Sequence, residues 1–160
     1  MKKRIIWFLA VISCFFLSVY TEGQVRVNFN IGLQPLWGPV GYDYVEYYYL
    51  PDIDVYYNVP RHEYVYYDGG RWVTTVSLPP RYHDYDLYTG YKVVVNEREP
   101  YLHHEHYKEK YARYKGRHDQ EVIRNSHESK YFEIKEHPEH GKWKGNGEGK
   151  GHGHGHGHGD

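Results

Sequence analysis

Between Gly151 and Gly159, His152, His154, His156 and His158 alternate with glycine. Neutral imidazole nitrogens suit Zn, Ni and Cu, and a glycine backbone wraps an ion without strain. Such a chain collects these ions without selecting among them, because no fixed geometry excludes the wrong one. The plainer reading is a solvated tail, produced by repeat slippage, whose metal affinity is incidental. A second cluster, His103-His104-Glu105-His106, follows Pro100. On a helix His103 and His106 share a face, and either can join a metal site. The zinc-protease spacing is not completed, because Lys108 stands where the second histidine would be needed. His62-Glu63 and His127-Glu128 do not complete it either. A solvated first helical turn is the ordinary alternative.

The third feature is aromatic. Fourteen tyrosines lie between Tyr42 and Tyr91. A tyrosine ring combines a large apolar area with a polar tip, which suits it both to a core and to a surface that holds sugars or peptides. Neighbours in a strand point to opposite faces, so one of Tyr56-Tyr57 and one of Tyr66-Tyr67 face each way. If both faces are covered, the tyrosines are packing. If one is open, it is an aromatic platform, for which Tyr57, Tyr66 and Trp72 are the candidates. Catalysis finds little support: no GxSxG, phosphate-binding loop or dinucleotide glycine pattern occurs. The acidic pairs Asp52/Asp54 and Asp84/Asp86 read as turn caps rather than as acid–base machinery.

The elements that must position these residues centre on Asp54 to Val76. This stretch reads as three short strands joined by a turn on Pro60 and a tight turn on Gly69-Gly70. Gln24 to Leu33 alternates, with Val25, Val27, Phe29 and Ile31 on one face, and predicts an amphipathic strand. Pro35 to Pro39 breaks it, with Trp37 as a buried plug. Tyr42 to Leu50 predicts a further strand. Tyr91 to Asn96 predicts a last one, whose three valines suggest cover on both faces. Tyr101 to Lys115 turns helical, with Tyr107, Tyr111 and Tyr114 on one side, a Glu109–Arg113 pair on the other, and Gly116 as the stop. Gln120 to Glu136 predicts a short helix and an extended piece at 131–134. Beyond 136 the chain is low in complexity and predicts disorder.

The first residues are of another kind. Lys2, Lys3 and Arg4 precede an apolar run from Ile5 to Val19, the layout of a secretory signal and short for a membrane span. Thr21-Glu22-Gly23 offers a cleavage site that leaves Gln24 first. The competing reading is a lipobox at Val11-Ile12-Ser13-Cys14, which would attach the protein to a membrane through a lipidated Cys14. Cleavage after Gly23 removes the only cysteine, and with it thiol catalysis and thiolate metal sites. Losing Lys2, Lys3, Arg4 and Glu22 moves the net charge only from −1 to −3. No strong field favours nucleic acid.

At YYYLPDIDVYYN (Tyr47–Asn58), YVYYDGGRWV (Tyr64–Val73), LPPRYHDYDLYTGYKVVVN (Leu78–Asn96) and PYLHHEHYKEKYARYKG (Pro100–Gly116), the chain resembles a group of small exported bacterial proteins of unassigned function. The resemblance spans Gln34 to about Ile134. It implies a cell-envelope protein and brings no catalytic residues.

The sequence thus predicts a signal at 1–23, an α+β domain at 24–136 and a disordered Gly/His-rich tail at 137–160. The domain is a small tyrosine-rich antiparallel meander packed by a C-terminal helix. The expected role is a non-catalytic structural or binding module, in the periplasm or secreted, with an envelope partner, a peptide or a glycan as ligand. The alternative is a transition-metal binder that uses the tail for Zn, Ni or Cu. No cofactor is required.

Overall fold

The strands of this domain are three to six residues long and rich in tyrosine, valine and threonine, too short to stand alone, so the sheet must be built by close succession. The computed structural model describes residues 29–142. The signal, Cys14, Val25, Val27 and the tail histidines His152, His154, His156 and His158 lie outside the described residues. Five strands form one antiparallel sheet: β1 (Tyr47–Leu50), β2 (Val55–Asn58), β3 (Glu63–Asp68), β4 (Arg71–Thr75) and β5 (Val93–Val95). Their order is β4-β3-β2-β1-β5, a meander closed on its far side by β5. The two-residue turn Gly69-Gly70 takes φ +56° and +84°, the left-handed pair that a twisted hairpin needs. It fixes the register Asp68↔Arg71 and Tyr67↔Trp72. The expected Pro60 turn ends on His62 at φ +56°.

Alternation divides the tyrosines between two faces. On one, Tyr48, Tyr57, Tyr64 and Tyr66 join Leu50, Val55 and Trp37. Trp37 is the plug, 4.8 Å from Tyr57 and 5.5 Å from Tyr48 between ring centres, both edge-on. The stretch between β4 and β5 crosses this face and covers it with Leu78, Tyr82, Tyr85, Leu87 and Tyr88. On the other face, Tyr47, Tyr49, Tyr56, Val65, Val93 and Val95 meet the chain that follows β5. A single turn of 3-10 helix (Pro100–His103) runs into helix α1 (His104–Tyr111), and Tyr101, Tyr107, Tyr111 and Tyr114 close that side. Gly116, at φ +74°, ends the run. The sheet is therefore the middle of three layers, and most of its tyrosines are core.

Tyrosine serves where phenylalanine would not because the hydroxyls find partners. Tyr48 donates to Gln34 Oε1 (3.0 Å), Tyr49 to Asp54 (2.7 Å) and Tyr85 to Asp52 (2.9 Å). The Tyr56 hydroxyl is hydrogen-bonded to His104 Nδ1 (3.2 Å). Among the described residues no buried side-chain polar atom is left unpartnered.

Several expectations are corrected. In the expected strand ending at Leu33, Ile31–Leu33 is a 3-10 turn instead. Asn30 redirects the chain: its side-chain amide donates to Val45 O (2.6 Å) and accepts from Val45 N (2.9 Å), as a neighbouring strand would. The strand expected from Tyr42 begins only at Tyr47. Residues 131–133 are not extended; Ser129–Glu133 is a 3-10 helix, the backbone turns extended only at Ile134, and Tyr131 and Ile134 are buried with Ile123 in a small third core. Glu109 and Arg113 do not pair. Arg113 reaches the Tyr114 hydroxyl (3.2 Å). Packing also continues past 136. His137 is buried, accepts at Nδ1 from Glu139 N (3.0 Å) and so donates from Nε2 to Ile123 O (3.1 Å). Among the described residues no helix is long and apolar enough to cross a membrane.

Candidate functional site

Where β3 and β4 run on beyond β2, the helical face of the sheet is not fully covered. The turn register sets Tyr67 and Trp72 side by side there, 5.3 Å between ring centres and 65° apart in plane. The first turns after Pro100 bring Tyr101 to 5.5 Å from Trp72, tilted by 49°, and His104 to 5.3 Å, edge-on. Between these walls lies an open groove of about 760 Å³. Two other hollows, of about 380 and 360 Å³, are half its size. Tyr67 is 53% exposed, and Leu102 stands out beside it.

The groove's polar groups come from three elements. Arg81, on the turn after Leu78, donates to Asp68 (2.9 Å) and to Tyr67 O (3.1 Å). Its guanidinium lies over the rings of Tyr66 (5.4 Å) and Tyr82 (5.1 Å), which fixes it at the rim. Asp54 holds a left-handed backbone at φ +54°, accepts from Tyr49 and lies 3.6 Å from Lys108 Nζ. Such a conformation in a non-glycine residue costs about 1–3 kcal/mol and tends to collect at functional sites. Glu105, His103 and His106 complete the wet side.

His104 is the half-buried end of this arrangement. Its ring packs against Tyr49, Tyr56 and Trp72. Burial among these rings pulls its pKa below the ordinary histidine value, against the opposing pull of Asp54 and Glu105. It is held neutral at pH 7, locked to the Tyr56 hydroxyl.

Of the residues expected to form a site, Trp72 is in the groove. Tyr57 and Tyr66 are not: at 6% and 9% exposure they sit in the core on the opposite face, and the expectation of an open surface there is corrected. The crossing chain that follows β4 covers them. His103 and His106 both line the groove and are exposed, but among the described residues no three metal-ligating side chains converge. Of the acidic pairs, Asp52, Asp54 and Asp86 serve the backbone and the tyrosines, and exposed Asp84 lies 2.9 Å from His83 Nε2. Asp52 accepts from Tyr85 and from Gly116 N (2.6 Å), and Asp86 from Tyr88 N (2.8 Å). Lys92 is 1% exposed, and burial draws its ammonium pKa down to about 8, but it points to Leu87 O (3.0 Å) and does not line the groove.

Sequence reasoning missed Tyr67, Tyr101, His104 and Arg81. Tyr67 carried a usable signal, since a two-residue turn pairs the second residue before it with the second after it. His104 stood inside the His103–His106 cluster, where only its neighbours His103 and His106 are expected as site residues; Tyr101, on the 3-10 turn ahead of α1, and Arg81, on the turn after Leu78, carried no such signal. Comparison with protein-family models, curated proteins and solved structures finds no match for this chain.

Proposed function

We propose that the protein is an exported, non-catalytic binding module of the cell envelope that holds its ligand in the groove beside Trp72. The observation that carries this reading is the groove itself. Exposed Tyr67 and partly exposed Trp72 and Tyr101 line an open groove of about 760 Å³ that the rest of the described residues leave uncovered. Convergent rings with a few fixed polar groups are what a ligand site requires. The signal-like first residues and the resemblance to exported proteins support the cellular setting.

The test is an NMR titration of the ¹⁵N-labelled chain starting at Gln24 with soluble muropeptides and with oligosaccharides. Binding should move the Trp72 indole N–H and the amides of Tyr67 and Leu102. Ligands that bind while these signals stay still would reject the groove.

A second reading rests on the four histidines alternating with glycine, His152 to His158: a carrier of Zn, Ni or Cu. It is compatible with the first, because it uses different residues.

A further inference from the structure

Resting on the groove-binding reading, we infer that the ligand is a neutral glycan, a short chain of β-linked hexose or N-acetylhexosamine rings stacked on Trp72 and Tyr67. The geometry of the rings is the first argument. Tyr67 and Trp72 stand 65° apart and Trp72 and Tyr101 49° apart, so they form a bent wall. A planar base is best held flat against parallel rings. A bent wall suits a pyranose whose substituents are equatorial. Its flat C–H face lies on one aromatic ring while its hydroxyls project sideways to polar groups.

The second argument is charge. The groove's fixed cations each have an anion beside them: Arg81 is bound to Asp68, and Lys108 lies near Asp54. His104 is neutral, and Glu105 is balanced by no excess of base in the wall. One unpaired carboxylate is no strong field: it repels a polyanion and holds a polycation only weakly. A ligand rich in neutral hydroxyls finds both donors and acceptors along the rim, from Arg81 and Lys108 to Asp54 and Glu105. The third argument is shape. About 760 Å³, open on one side, is room for a few sugar rings and lies within the range of about 300–1,000 Å³ usual for small-ligand sites. An apolar peptide would want aliphatic depth, and the lining supplies only Ile53 and Leu102.

The experiment uses the chain from Gln24 with three probes: chitotetraose, cellotetraose and a free cell-wall stem pentapeptide. Each is titrated to millimolar concentration while the Trp72 indole and Tyr67 amide signals are followed. One or both tetrasaccharides should shift these signals saturably. Trp72→Ala should weaken that binding at least tenfold. Trp72 also packs on Tyr56, so Tyr67→Ala is the second variant. It removes an exposed ring at the rim and should weaken binding severalfold while the unfolding midpoint stays put; Val76→Ala, exposed just past the end of β4 and outside the groove, should change nothing. If the tetrasaccharides leave the signals still while the pentapeptide moves them, the glycan inference falls and the groove-binding reading stands. If no probe moves them, both fall. If a sugar binds equally to the wild type and to Tyr67→Ala and Trp72→Ala, the inference also falls.

Discussion

A tyrosine in a core must place its hydroxyl as well as its ring, and Tyr48 shows what that requires. It is fully buried, its hydroxyl donates to Gln34 Oε1, and the Gln34 amide in turn donates to Tyr42 O (3.0 Å). Burial pushes the Tyr48 hydroxyl far above its ordinary pKa, so it stays a donor throughout the working range. Tyr48→Phe leaves Gln34 Oε1 without a partner in a dry place, and we expect a loss of about 1–3 kcal/mol in urea unfolding. At exposed Tyr67 the same change should fall within about 0.5 kcal/mol. His104 gives a prediction in pH. Unfolded, it takes a proton near pH 6.5; folded, burial first and Lys108 second make it resist. Above that pH both states are neutral and it contributes no slope. As pH falls through 6.5, the unfolded chain gains a proton that the folded one refuses, so stability declines. The fall in urea midpoint between pH 7.5 and pH 5 should therefore be smaller in His104→Gln than in the wild type. An equal fall in both proteins would show that His104 titrates normally.

At the scale of elements, what was legible depended on whether local chemistry alone decided the backbone. The glycine pair did: φ values of +56° and +84° leave little choice of turn, and the hairpin, its register and the facing of Trp72 follow. The Tyr101 helix was legible for the same reason, from its tyrosine spacing and the Gly116 stop. The stretch from Phe29 to Leu33 was not. Its alternation is real, but the Asn30 amide is bound to Val45, and a side chain that imitates a strand looks like any polar residue in the sequence. The same device recurs twice. Gln120 bonds both the N–H and the carbonyl of Lys92 (2.9 Å each), and Asn96 accepts from Glu46 N (2.9 Å). These amides tie the loops to the sheet, at Lys92 just ahead of β5, where another chain would otherwise find bonding groups. For the hairpin the expected outcomes separate cleanly. Gly69→Asn keeps a residue that tolerates the left-handed region and should change stability by no more than about 0.5 kcal/mol. Gly70→Val forces a branched side chain to φ +84° and should cost about 1–3 kcal/mol. If it instead shifts the register, the nuclear Overhauser contact between Tyr67 and Trp72 will vanish, and with it the groove.

For the whole molecule, layering decides which tyrosines are available. The chain crosses one face of the sheet on its way from β4 to β5 and crosses the other as the helix, so among the described residues the projecting end of the β3–β4 hairpin is left less covered than the rest. That is why a site chosen from tyrosine density alone fell on Tyr57 and Tyr66. Density does not reveal which side a later segment will cover. The histidines divide in the same way. His104 has become part of the core's edge, His103 and His106 stay wet, and no three metal-ligating side chains converge among the described residues. Metal affinity should then belong to His152, His154, His156 and His158 alone. Calorimetric titration of the chain from Gln24 with Zn, Ni and Cu, beside a version ending at Lys150, tests this. We expect binding by the full chain only. We also expect its melting temperature to stay where it was, because ligands that bind folded and unfolded chains alike do not shift the equilibrium between them. Binding by the shortened chain, with a raised melting temperature, would place a metal site inside the fold. His103 and His106 would then be its first candidates, and the ion would sit in the wall of the groove and contribute directly to whatever the groove holds.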